Sequence, residues 1–131
     1  MKNLYIDVDG VLITKHKQPA NNLVEFLEFA TNNFNCYWLT THCKGNSGSL
    51  INYLRETVPE EVMVYLEKIK ATNWQTFKTE AIDFDKEFIW LDDQLFESEK
   101  KVLEKNNVLE SLIKIDIESN PNQLMDFINL N

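Results

Sequence analysis

Leu4-Tyr5-Ile6-Asp7-Val8-Asp9-Gly10-Val11-Leu12 is the stretch on which the reading of this chain turns. An apolar run ends in two carboxylates one residue apart, followed by a glycine. Continuous apolar character over residues 3–8, with β-branched and aromatic side chains, marks a strand buried on both faces. Such a strand ordinarily gives way to a neutral turn, whereas here two acids stand where the chain leaves the sheet. Carboxylates held this close repel, and burying them costs free energy unless a cation or a proton offsets their charge. The pair therefore asks for a divalent metal and for acid–base chemistry. The bland alternative is a solvated strand end closed by an Asx-turn.

Two more apolar runs end the same way. Cys36-Tyr37-Trp38-Leu39 reads as a second buried strand and runs into Thr40-Thr41-His42; Phe88-Ile89-Trp90-Leu91 reads as a third and runs into Asp92-Asp93. A fourth strand is expected over Leu112–Ile115. Helices are expected between them: to about residue 32 from a capping-box-like start at Asn22 and Glu25, around Leu50–Leu54, from Thr72 or Asn73 with Trp74, Phe77 and Ala81 inward, over 97–106, and after Pro121. Val62–Tyr65 fits either a helix or a short edge strand. Strands alternating with helices predict an α/β fold with a parallel sheet covered on both faces. Ligands of such sheets sit beyond the carboxyl ends of the strands, which is where Asp7, Asp9, Thr40, Asp92 and Asp93 all fall.

The bulk composition narrows the function. At 131 residues with 44% hydrophobic content, three Gly and three Pro, the chain is expected to form one domain spanning 1–131, without linkers. A net charge of −8 argues against an extended nucleic-acid face. That charge lies wholly after residue 50, because Asp7, Asp9, Glu25 and Glu28 are balanced earlier by Lys2, Lys15, Lys17 and Lys44. Lys15, Lys17 and Lys44 follow the two site strands and are candidates for a basic rim over an acidic pit. Cys36 and Cys43 have no CxxC spacing, no leader precedes the first strand, and no run is long enough to span a membrane, so a reduced, cytoplasmic setting is expected. His42 and Cys43 are poorly spaced for zinc, and Cys43 is a weak candidate nucleophile. His16, between two lysines, reads as solvated, with contact to a substrate as the alternative. Trp38 and Trp90 read as core; Trp74 is undecided.

Asp7-Val8-Asp9-Gly10 after a strand, Thr40 after a strand, an upstream lysine, and Asp92-Asp93 after a strand resemble the four motifs of the haloacid dehalogenase-like superfamily, in its phosphatase branch. The lysine is ambiguous: Lys78 stands at the expected distance, with Lys70 and Lys68 as alternatives. The resemblance implies a three-layer sandwich around a mostly parallel, Rossmann-like sheet. It implies a Mg²⁺-dependent phosphomonoester hydrolase working through an aspartyl-phosphate. Asp7 would be the nucleophile. Asp9 would be the general acid, then base, with a pKa expected to be raised by neighbouring negative charge. Thr40 and Lys78 would complete the catalytic set. Gly10, Thr41, His42 and Lys44 would contact substrate, and Asp7, the carbonyl of Asp9, Asp92 and Asp93 would hold Mg²⁺. The dehalogenases lack the second acid and the ion-pumping ATPases carry Thr there, so Asp9 favours a hydrolase or phosphomutase.

Neither the gap from Val11 to Tyr37 nor that from Thr40 to Lys78 has room for a cap domain. The site is expected to be open, unless a second copy of the chain covers it. Capless relatives tend to act on phosphoproteins or nucleic-acid ends, and some on nucleotides or small phosphometabolites. The rival readings are a non-catalytic module that binds a phosphorylated partner, and a phosphotransferase.

Overall fold

The computed structural model describes residues 1–131. Four parallel strands, β1 (Asn3–Ile6), β2 (Asn35–Trp38), β3 (Phe88–Asp92) and β4 (Leu112–Lys114), form one sheet in the order β2-β1-β3-β4. Helix α1 (Leu23–Asn33) joins β1 to β2; α2 (Gly48–Arg55) and α3 (Met63–Leu66) lie between β2 and β3; α4 (Glu97–Lys105) joins β3 to β4; α5 (Gln123–Leu130) closes the chain. Register runs Ile6 beside Trp38 on one side and beside Leu91 on the other. The chain leaves β1 toward β2 and later returns on the opposite side as β3, so the carboxyl end of β1 is a topological switch point.

Strand alternation sends successive side chains to opposite faces. Leu4, Ile6, Ile89 and Leu91 meet the inner faces of the helices through Phe26 and Leu27 of α1, Leu50 and Leu54 of α2, Leu66 of α3 and Leu124 of α5. Tyr5, Phe88 and Trp90 instead meet Trp74, Ile82 and Leu103 of α4 in a second, smaller cluster. Both faces of the sheet are thus packed, as uninterrupted apolar strands require. Trp38 and Trp90 are fully buried and belong to this core. No helix is long and apolar enough to cross a membrane.

Two local expectations are corrected, and one open alternative is decided in favour of a helix. Asn22 precedes α1 in a left-handed conformation (φ 63°) and makes no side-chain cap, so the Asn22–Glu25 box does not form. Val62–Tyr65 is helical rather than an edge strand. No helix starts at Thr72 or Asn73, and only a 3₁₀ turn, Lys78–Ala81, precedes β3. Residues 70–72 are drawn out along the open edge of β2. The Trp38 N–H donates to the Lys70 carbonyl (2.8 Å), the Lys70 N–H to the Cys36 carbonyl (2.9 Å), and the Thr72 hydroxyl to the Trp38 carbonyl (2.6 Å). Unpaired backbone groups on a strand edge outcompete a weak local helix signal. Trp74 is consequently buried on the second face, while Phe77 is exposed.

Candidate active site

Asp7 stays in the sheet ladder after β1 ends, its N–H donating to the Leu91 carbonyl at 3.0 Å. The chain then turns tightly: the N–H groups of Val11, Leu12 and Ile13 all converge on the Val8 carbonyl, and the Gly10 N–H donates to Ile13. This leaves the Asp9 carbonyl without a backbone partner. Gly10 adopts φ +82°, and a Cβ there would fall on Oδ2 of Asp93 and 2.6 Å from its Cγ. The glycine is needed both for its left-handed backbone and for the approach of Asp93. Gly10→Ala is expected to cost about 1–3 kcal/mol and to weaken divalent-cation binding, read by thermal unfolding and calorimetric titration. Unchanged values in both would remove the need for glycine.

Asp92 ends β3 almost wholly buried, its Oδ1 accepting the Gln94 N–H at 3.1 Å. Carboxylate oxygens of Asp7, Asp92 and Asp93 lie within 4.8 Å of one another. Lys78 is the cation among them, its Nζ 2.7 Å from Oδ2 of Asp92 and 3.5 Å from Oδ1 of Asp7. Of the three candidate lysines only Lys78 meets the acids, whereas Lys70 and Lys68 lie against the rings of Tyr37 and Tyr65. Three carboxylates against one ammonium leave negative charge to be offset. Burial, then the charge of Asp92, push Asp7 up to about 8 despite the opposing pull of Lys78. Burial and Asp92 also raise Asp93. Burial works against the charge on Lys78, but the two facing carboxylates outweigh it and raise its pKa. A cation can take the place of the proton that such a cluster otherwise retains. Asp7, Asp92 and Asp93 could hold a metal ion.

The Asp9 side chain has a different setting from the one expected. Its Oδ2 lies 2.7 Å from Nε2 of His42, its Oδ1 accepts the Tyr53 hydroxyl at 3.0 Å, and the Lys17 ammonium stands 3.6 Å from Oδ1. The His42 ring stacks on Tyr53, centroids 4.7 Å apart. Partial burial acts to raise the Asp9 pKa, but the His42 and Tyr53 hydrogen bonds and the Lys17 charge outweigh it, so the pKa is lowered. The expected upward shift is overturned because donors from the β2 loop and α2 reach this carboxylate, and the acid cluster does not.

Asp7, Asp9, Thr41, Lys78, Asp92, Asp93 and Glu99 share a cleft of about 190 Å³, with the exposed Phe96 on its wall. Thr40 is buried, its hydroxyl accepting the His42 N–H at 3.3 Å, and Thr41 is the threonine that lines the cleft. Of the three rim lysines only Lys17 pairs with a site acid. Lys44 donates to the Gln75 carbonyl and lies 4.0 Å from the Trp74 ring centroid, outside the cleft lining. Cys43 is buried and its thiol is pushed up by burial, unsuited to a nucleophile. A larger groove, about 600 Å³, opens at the opposite end of the strands around Lys2, Phe84 and Ser111, away from the acids. Tyr53, Glu80 and Glu99 carry no sequence motif that marks them for the site. Glu80 gathers the N–H groups of Gln75, Thr76 and Phe77 (3.1, 3.1 and 2.7 Å) and so folds the loop that delivers Lys78.

No protein-family model, curated protein or solved structure matches the chain.

Proposed function

We propose that the protein is a Mg²⁺-dependent phosphomonoester hydrolase that works through an aspartyl-phosphate on Asp7, on a three-layer, capless core of haloacid dehalogenase type. The observation that carries this reading is the separation of two carboxylates on one turn. Asp7 faces Lys78 and two further acids, while Asp9 is held apart by His42 and Tyr53. Two acids in unlike surroundings are the usual basis for dividing nucleophile from proton carrier.

In this reading Asp7, Asp92, Asp93 and the Asp9 carbonyl would hold Mg²⁺, an ion suited to hard oxygen ligands. Bound there, it would supply positive charge to keep Asp7 ionised and to offset charge on the phosphoryl group. The Asp7 carboxylate attacks phosphorus, and the bond to the leaving oxygen breaks. Lys78 neutralises charge on Asp7 and on the transferring group. Thr41, at the cleft wall, and Thr40, behind it, offer hydroxyls at the exit of β2. Asp9 delivers a proton to the leaving oxygen, then takes one from the water that hydrolyses the intermediate. A dianionic phosphate entering the cleft opposes the ionisation of Asp9, whose carboxylate stands against His42 Nε2. The intervals Val11–Tyr37 and Thr40–Lys78 hold α1 in the first, and α2, a 3₁₀ turn at Glu60–Val62 and α3 in the second, which leaves the cleft open to bulky phosphorylated substrates.

The lowered pKa of Asp9 is the observation that favours the non-catalytic phosphate-binding module instead. One assay separates the readings: hydrolysis of an aryl phosphate with Mg²⁺, and a phosphometabolite panel alongside. Turnover that is lost in chelator supports the hydrolase. Binding of inorganic phosphate with no turnover on any substrate favours the binding module. Product appearing on added alcohols rather than water favours the phosphotransferase.

A further inference from the structure

We infer that Glu99 is a positioning residue for Lys78, fixing through the main chain where the lysine ammonium stands between Asp7 and Asp92. This inference rests on the hydrolase reading for its catalytic consequence. Glu99 sits in the first turn of α4, three residues after Phe96, and is only 3% exposed. Its Oε2 accepts the backbone N–H of Lys78 at 3.0 Å. Glu99 stands on the helix that leaves β3, and Lys78 on the turn that enters it. No cationic side chain lies within ion-pair distance of it. One buried carboxylate thus fastens two segments that belong to opposite ends of β3: the 3₁₀ turn entering the strand and the helix leaving it.

The fastening matters because of what hangs from it. Lys78 opens its 3₁₀ turn, so its own N–H has no partner within the turn and a side chain must satisfy it. Glu80 secures the residues just before Lys78 from the solvent side, and Glu99 secures Lys78 itself from the protein side. Its ammonium reaches Asp92 at 2.7 Å and Asp7 at 3.5 Å from a stem anchored at that point. Release of the anchor lets the stem pivot, and a misplacement of about 1 Å at a reacting centre can cost on the order of 10²-fold in rate.

Two conservative variants separate position from charge. E99Q keeps an acceptor at full reach and loses the charge; E99D keeps the charge and withdraws the acceptor by one methylene. With saturating Mg²⁺ and an aryl phosphate, E99Q is expected to keep kcat within about threefold of wild type, and E99D to lose about 10–10²-fold, with KM little changed in both. In a Lys78→Ala background the difference between the two is expected to vanish, which a purely structural role would not produce. E99D at least as active as E99Q, or a difference that persists without Lys78, overturns the inference. Should E99D not fold, the Lys78 amide proton carries the test: it is expected downfield in wild type and shifted upfield in E99Q, and a random-coil position in wild type overturns the assignment. If wild type shows no turnover at all, the hydrolase reading fails separately, and the same cycle is read in affinity for inorganic phosphate.

Discussion

Asp7→Asn is expected to abolish hydrolysis and, in chelator, to make the protein more stable than wild type at pH 8. The two effects have one origin. Asp7 is 7% exposed and shares its surroundings with Asp92. Its pKa is raised from 3.8 to about 8, first by burial and then by Asp92. Between those two values the folded chain binds a proton that the unfolded chain has released. Unfolding free energy therefore falls as pH rises from about 4 to 8 and levels off above, with a limiting slope of about 1.4 kcal/mol per pH unit for one proton. Asn cannot ionise and takes this slope away. Lys78 keeps its 2.7 Å contact with Asp92, so the substitution orphans no charge. Asn is also no nucleophile toward phosphorus, so turnover disappears. The measurement is the difference in unfolding free energy between wild type and Asp7→Asn across pH 5–8, with and without Mg²⁺. The difference is expected to grow with pH in chelator and to shrink when Mg²⁺ is added, because the ion favours the ionised carboxylate. A flat difference in chelator would mean that Asp7 ionises normally, and retained turnover would remove it as nucleophile.

The same cluster explains what could be read from sequence and what could not. Asp7 and Asp92 announce themselves because an acid directly after an uninterrupted apolar run has nowhere to go but a strand end. The parallel sheet follows from the same runs. Distance along the chain favours Lys78 over Lys70 and Lys68, but all three precede β3 and nothing local shows which of them reaches the acids. The fold draws Lys70 onto the free edge of β2, where it pairs with Cys36 and Trp38, and brings Lys78 to Asp7 and Asp92. That recruitment also undid the helix expected from Thr72, because an edge strand's unpaired groups exert a pull no sequence window contains. Tyr53 was hidden for another reason: with Leu50 and Leu54 it reads as part of one amphipathic helix, yet its hydroxyl ends on Asp9. The lowered pKa of Asp9 depends on residues 33 and 44 positions away, which no reading of the first loop could supply. Glu99 resembles any first-turn acid of a helix. Only its burial against the Lys78 main chain distinguishes it.

Lys78→Met is expected to lower both turnover and stability. The Lys78 ammonium is the only cationic side chain in ion-pair distance of Asp7 or Asp92. Met has a similar length and fills the same space, so the change isolates the charge. Asp92 is 1% exposed and loses its counter-ion; removing one partner of a buried pair costs about 3–5 kcal/mol. That is a large part of the roughly 5–15 kcal/mol that holds a domain folded. Turnover is expected to fall by at least about 10²–10³-fold, the scale of losing one preorganised charge-stabilising group. Mg²⁺ is expected to recover part of the stability, since a second cation compensates the same carboxylates, but not the rate, because the ion cannot stand where Nζ stood. Adding Asp92→Asn to Lys78→Met separates the two losses: the orphaned charge goes, stability returns toward wild type, and turnover stays low. Denaturant unfolding of the single and double variants, beside kcat on an aryl phosphate, measures both quantities. A double variant no more stable than Lys78→Met would mean that the lysine stem, and not its charge, holds this part of the fold.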